Sequence, residues 1–173
     1  MGAFLLDMSN PFSSGASGIF HGGPGDGGHV GNQWYEAFGM DFGAPVGTDV
    51  VAVFDATVTD FKHPTPAPGV FGDQIWMRAA NATLDPNDPG GVGIFYTHLQ
   101  ADSSISIGTS IARGSVIGTI SSGTPSHLHF ALAERRGGTN FGVNLYNAFK
   151  AGINTTTVMT MRFPQDGSPP TIL

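Results

Sequence analysis

Six histidines, one aspartate ahead of a turn, and no cysteine set the chemistry open to this 173-residue chain. His127 and His129 stand two residues apart in the run HLHFALA. Alternate residues of a strand point to the same face, so both imidazoles would project to one side while Leu128 and Phe130 enter a core. Two imidazoles on one face suit a zinc ion, or one ligand beside one catalytic base. Taken alone, the pair fits an exposed polar stripe on a half-wet sheet equally well. His98 ends the apolar run FYTHL, at a strand end where the chain turns out, a common place for chemistry; by itself it reads more simply as a histidine hydrogen-bonded at a sheet edge. Asp41 precedes the turn FGAPVGT, where a carboxylate caps or binds, and beside histidines it becomes a hard anionic zinc ligand. His29 lies upstream of it in HVGNQWYEAFGMDF. His63, in KHPTPAPG, reads as a solvated turn. His21, in FHGGPG, reads as a loop residue with a minor claim to be a ligand.

The elements that must position these residues are short. DVVAVFDATVTDF from Asp49, IWM at 75–77, GIFYTHL at 93–99, SVIGTI at 115–120 and HLHFALA at 127–133 are β-branched and aromatic, the texture of strands. TTTVMTMRF reads as a last strand, followed by a proline-rich tail. One helix is expected in NLYNAFKAG, capped by Asn144 and ended by Gly152. Residues 11–32 are rich in Gly, Ser and Pro and read as an extended loop; its GGPGDGG resembles a piece of a calcium-binding glycine repeat, but occurs once. DPNDPGG is a loop between two strands, Trp34 and Tyr35 read as core or groove-wall packing, Glu36 as a loop residue, and Glu134–Arg135–Arg136 as a solvated turn. Strands at short spacing with little helix predict a mainly β sandwich or barrel-like core with long loops. The whole of 1–173 reads as a single domain: a glycine-rich N-terminal loop (11–32), a motif-bearing core (29–133) and a C-terminal helix and strand extension (143–173).

Composition narrows the function classes. Hydrophobic residues make up 40% and charged residues 12%, so a packed core forms and disorder is not expected. Seven basic residues in a chain of net charge -6 are too few and too scattered for a nucleic-acid footprint. Without cysteine there is no disulfide, thiolate site or cysteine nucleophile. No apolar run reaches transmembrane length, and MGAFLLDMSNPF lacks the basic and apolar regions of a signal peptide.

In order, GMDFGAPVGTDVVAVFDATV, YTHLQ, IGTSIARGSVIGTISSGT and SHLHFAL resemble the lysostaphin/LytM-type zinc metallopeptidases over Gly39–Leu132. That resemblance implies an antiparallel β core with an open groove over the metal, and hydrolysis of peptide bonds in peptidoglycan stem peptides or cross-bridges. It implies Asp41 and His129 as zinc ligands and His98 and His127 as the two histidines beside the metal. One of these two would be general base and the other would bond the oxyanion; the resemblance does not say which. It also implies action outside the cell or in the periplasm; the low charge, glycine-rich entry and lack of a visible signal peptide add a phage or secretion apparatus as a further setting. The oligomeric state is left open.

One departure stands out. The family's H-x-G-x-D places a histidine four residues before the aspartate, and that position is Ala37. Three explanations compete. The third ligand comes from farther upstream, preferably His29, otherwise His21; or the site is degenerate and the chain is an inactive cell-wall-binding or hydrolase-activating module; or Ala37 is an introduced substitution. A three-ligand zinc site needs its third donor, which favours His29.

Overall fold

The computed structural model describes residues 2–80 and 90–173. Its strands are β1 (Phe4–Met8), β2 (Phe20–Gly22), β3 (Met40–Gly43), β4 (Asp49–Val51), β5 (Ala56–Lys62), β6 (Asp73–Ala79), β7 (Gly91–Ala101), β8 (Ser110–Ile111), β9 (Val116–Ile120), β10 (His127–Arg136), β11 (Thr139–Val143), β12 (Met159–Phe163) and β13 (Thr171–Ile172). Two short helices, α1 (Trp34–Ala37) and α2 (Tyr146–Lys150), complete the elements. The expected mainly β, antiparallel architecture is the one observed.

The large sheet runs β2-β3-β10-β7-β6-β5-β8, with β11 on β10 and the β4–β9 pair attached through β7. A second sheet, β1-β12-β13, joins the two ends of the chain, with Phe4 opposite Phe163. Period-two alternation decides which face is core. Leu128, Phe130 and Leu132 of β10 and Ile94 and Tyr96 of β7 are buried with Phe42, Phe149 and Phe163. Full burial of each such side chain contributes roughly 1.5–3 kcal/mol. The Tyr96 hydroxyl accepts the Val53 N–H at 3.0 Å, so this buried polar tip is satisfied. The opposite face of β3, β10 and β7 carries Asp41, His127, His129 and Thr97.

The alternation of β7 breaks once, at His98. Its φ is 66°, a left-handed value unusual for a residue with a side chain. Leu99 pairs with Asp73 and Thr97 with Gln74, so His98 is the extra residue of a β-bulge. The extra residue shifts the phase of the strand. Thr97 and His98 both line the groove, and Leu99 returns to the core, fully buried. β7 therefore does not end at Leu99, as expected from sequence; it turns the His98 side chain out and continues to Ala101.

Other expectations are corrected. Residues 11–32 are not all loop: Phe20–Gly22 pairs as an edge strand with β3, and Phe12 is wholly buried. Glu36 lies on α1, not in a loop. Glu134–Arg136 is not a solvated turn, because β11 pairs with it and prolongs β10, leaving Glu134 only 2% exposed. The helix is shorter than expected; Asn144 Oδ1 does accept the Tyr146 N–H at 3.1 Å, but α2 ends at Lys150. The tail contributes β13 to the second sheet. Most of the DPNDPGG loop lies outside the described residues.

Candidate metal centre and catalytic groove

Asp41 is placed by β3, and His127 and His129 by the adjacent β10, where His129 is Asp41's direct cross-strand partner. His29 arrives differently. The chain from Gly23 to His29 is a compact turn, in which Asp26 N–H bonds Gly23 O, His29 N–H bonds Asp26 O, and Gly25 N–H bonds His29 O. Gly25 and Gly27 hold left-handed φ values that the turn requires. The turn carries the buried His29 ring over the sheet to meet Asp41.

His29 Nε2 and His129 Nδ1 lie 3.1 and 2.9 Å from the same oxygen, Asp41 Oδ1. Donor atoms from these three residues all fall within 4.8 Å of one another. A tetrahedral zinc with bonds of 2.0–2.1 Å separates its ligand atoms by about 3.3 Å, so the cluster is close to that size. Tautomers sharpen the point. His129 Nε2 donates to the Tyr35 carbonyl at 2.7 Å, which in the neutral ring leaves the Nδ1 lone pair aimed at a carboxylate. The carbonyls of Gly23 and Asp26 lie on the other side of the His29 ring, and its buried Nδ1 has no hydrogen-bond partner of normal geometry. The His129 lone pair facing a carboxylate calls for a cation between them, a proton or a metal. Divalent zinc suits two imidazole nitrogens and one carboxylate, with the His129 imidazole backed by the Tyr35 carbonyl.

The charges agree. The hydrogen bond to Asp41 raises the His29 pKa against the opposing effect of burial. For Asp41, burial opposes ionisation, but hydrogen bonds from His129 and His29 outweigh it and hold the carboxyl well below the usual range. His98 and His127 go the other way. Burial pushes His98 down to about 4 and also lowers His127, so both are neutral at pH 7 in this arrangement. Each is anchored through Nδ1: His98 donates to Phe71 O at 3.0 Å and His127 to Pro125 O at 2.6 Å. Each thereby keeps its lone pair on Nε2, and that of His127 lies 3.5 Å from Asp41 Oδ2. Their ring centroids are 4.6 Å apart, and both line a groove of about 450 Å³ together with the three clustered residues.

The structure thus gathers His29, Asp41, His98, His127 and His129 on one face. His21 lies nearby, on β2, with its ring 5.7 Å from His127 and outside the three-residue cluster. His63 is 71% exposed and bonds Asp73, apart from the groove. Ala37, on α1, stands two residues from Tyr35, the residue whose carbonyl holds His129. Sequence reasoning missed the carbonyls of Tyr35, Phe71 and Pro125, since a backbone acceptor leaves no mark on residue type. Gly39 was the one readable signal among the missed positions: a side chain there would run into the His29 and His129 rings.

Comparisons with known proteins bear on the fold and the family. Lysostaphin in solution is 19% identical, with a TM-score of 0.56 over 87% of this chain and 60% of its own. Pseudoalterin, an M23 metalloprotease from the deep sea, is 17% identical, with a TM-score of 0.52 over 81% of this chain and 75% of its own. A LytM protein from Ruminococcus gnavus is 22% identical over 64% of this chain and 45% of its own, with a TM-score of 0.48. This chain therefore spans between about half and three quarters of the length of these three proteins, and the likeness to lysostaphin and pseudoalterin shows the shared β fold. Curated protein sequences give no match. The model of peptidase family M23 matches residues 35–141, more than half of the chain, beginning after His29. By that match, the chain belongs to peptidase family M23.

Proposed function

We propose that this protein is a zinc-dependent endopeptidase that hydrolyses peptide bonds in the stem peptides or cross-bridges of peptidoglycan. His29, Asp41 and His129 would hold the metal. The carrying observation is the convergence of these three side chains, with His29 supplying from a separate turn the donor absent at Ala37. Zinc bound there would supply Lewis acidity and an acidified water. His98 and His127 are then the proton-handling pair. Each carries its lone pair on Nε2, that of His127 lying 3.5 Å from Asp41 Oδ2, and each Nδ1–H is fixed on a carbonyl, so neither ring has to reorient to act. One Nε2 accepts the proton of the attacking water and returns it to the leaving amine. The other takes up a proton from solvent at Nε2 as negative charge develops beside it, and hydrogen-bonds the oxyanion with that proton. The site of action would be the cell wall, outside the cell, in the periplasm or carried by a phage or secretion apparatus.

Ala37 is the observation that favours a second reading, an inactive family member that binds the wall or activates another hydrolase. Digestion of purified peptidoglycan, followed by mass spectrometry of the released peptides, separates the two. New amino termini with the wild type and none with His98→Ala support the endopeptidase. Binding to peptidoglycan without cleavage, by metal-loaded wild type, supports the module.

A further inference from the structure

Among the site histidines carried by strands of the groove face, His98 is the one that regular sheet geometry does not hold. It is the extra residue of a bulge and sits at φ 66°, so its orientation must be imposed from outside β7. Three contacts impose it. The His98 carbonyl accepts the Ser121 N–H at 3.0 Å. The Nδ1–H donates to the Phe71 carbonyl at 3.0 Å, and the Phe71 ring stacks on the imidazole, with centroids 3.9 Å apart and planes inclined by 16°. Two of the three come from one residue, and they constrain different motions. A single hydrogen bond fixes Nδ1 but lets the ring swing about the N···O axis. The stack fixes the plane of the ring and so the direction of the Nε2 lone pair.

Phe71 is itself seated. Its ring lies over Gly123, where any Cβ would strike the ring. Gly72, at φ 71°, lets the chain approach Leu99 so closely that a Cβ would come 2.8 Å from the Leu99 backbone. The root of the loop is pinned by Asp73, whose carboxylate accepts from His63 Nδ1 at 2.6 Å and from Ala101 N–H at 2.8 Å. The loop from His63 to Gly72 thus presents Phe71 to His98 from a fixed base.

We infer that Phe71 is a positioning residue, holding the His98 imidazole in the plane from which its Nε2 addresses the groove. The catalytic consequence rests on the function proposed above; the orientation does not. Two measurements on the zinc-loaded protein separate them. The first is the NMR resonance of the His98 imidazole Cε1–H, which the stacked ring shields. Phe71→Leu should move it downfield and Phe71→Tyr should restore it. Gly123→Ala, which keeps the phenyl ring but displaces it, should move it too. The second is steady-state cleavage of soluble cross-linked muropeptides. Phe71→Leu should lower kcat about tenfold, leave KM within about twofold and leave zinc content unchanged, and Phe71→Tyr should recover kcat. An unmoved resonance in Phe71→Leu and Gly123→Ala overturns the inference. So does a moved resonance with wild-type kcat, or an equal loss in the leucine and tyrosine variants. If the wild type cleaves no muropeptide, the proposed function falls, and nuclear Overhauser contacts from the His98 ring protons to His127, altered in Phe71→Leu and restored in Phe71→Tyr, decide whether Phe71 orients His98.

Discussion

Gly39→Ala should weaken metal binding while leaving the sheet intact. Gly39 is not among the glycines with left-handed φ, so alanine meets no backbone penalty there. The obstacle is space. A Cβ at 39 would sit 2.6 Å from His29 Cδ2 and 2.7 Å from His129 Nε2. Ordinary contact is about 3.5–4.0 Å, so the His29 ring must retreat by about 1 Å and the His129 ring, whose Cε1 would be nearer still, by more. Metal-ligand distances tolerate only about 0.2 Å, so such a shift pulls at least one nitrogen out of bonding range. Changes to groups that merely orient ligands cost about 10–100-fold in metal affinity. A direct push on two ligands belongs at the upper end, about 100-fold or 2.7 kcal/mol. The assay is competition for zinc against a fluorescent chelator, with Gly93→Ala as control, since a Cβ at 93 meets only Met77 O, at 3.7 Å. Zinc affinity in Gly39→Ala equal to wild type would refute the packing argument, as would an equal loss in Gly93→Ala.

Three further outcomes are expected. His98→Ala should keep its zinc, measured by elemental analysis, and lose about 10²–10⁴-fold in turnover of peptidoglycan peptides. Glu134→Gln should stabilise the protein near neutral pH by about 1 kcal/mol, read by urea denaturation. Burial raises the Glu134 pKa, with a Gln165 backbone N–H and Arg136 opposing, so its contribution is fully present below the unfolded pKa and lost as pH rises through the folded value; the variant should lose that decline. Phe130→Ala should cost about 3–5 kcal/mol in the same assay, because Phe130 is wholly buried against Phe42, Tyr96 and Phe149.

The legible parts of this molecule are those written in a local period or a motif. HLHFALA states its own two faces, and the buried Leu128 and Phe130 behind His127 and His129 follow from that alternation. Asp41 and the need for a donor to replace Ala37 were readable from motif order. The remainder is set by partners distant in sequence. The His98 bulge is defined against Asp73 and Gln74, not by the residues of FYTHL. Glu134 looks like a surface residue until Gln165, whose side chain bonds Gly91 N–H at 3.0 Å, brings its own backbone alongside. The second sheet pairs Phe4 with Phe163 from opposite ends of the chain, a contact no window of sequence contains. The turn that delivers His29 was visible as glycines and one aspartate, but its direction depends on where β3 lies.

The central claim is that His29, from outside the span matched by the family model, completes a three-residue zinc site with Asp41 and His129. Zinc per folded chain, measured by plasma mass spectrometry after dialysis against a metal-free buffer, tests it most directly. The account predicts about one zinc in the wild type and a small fraction of that in His29→Ala, with unchanged circular dichroism. A His29→Ala protein that retains a full equivalent of zinc, or a folded wild type that binds none, would contradict it.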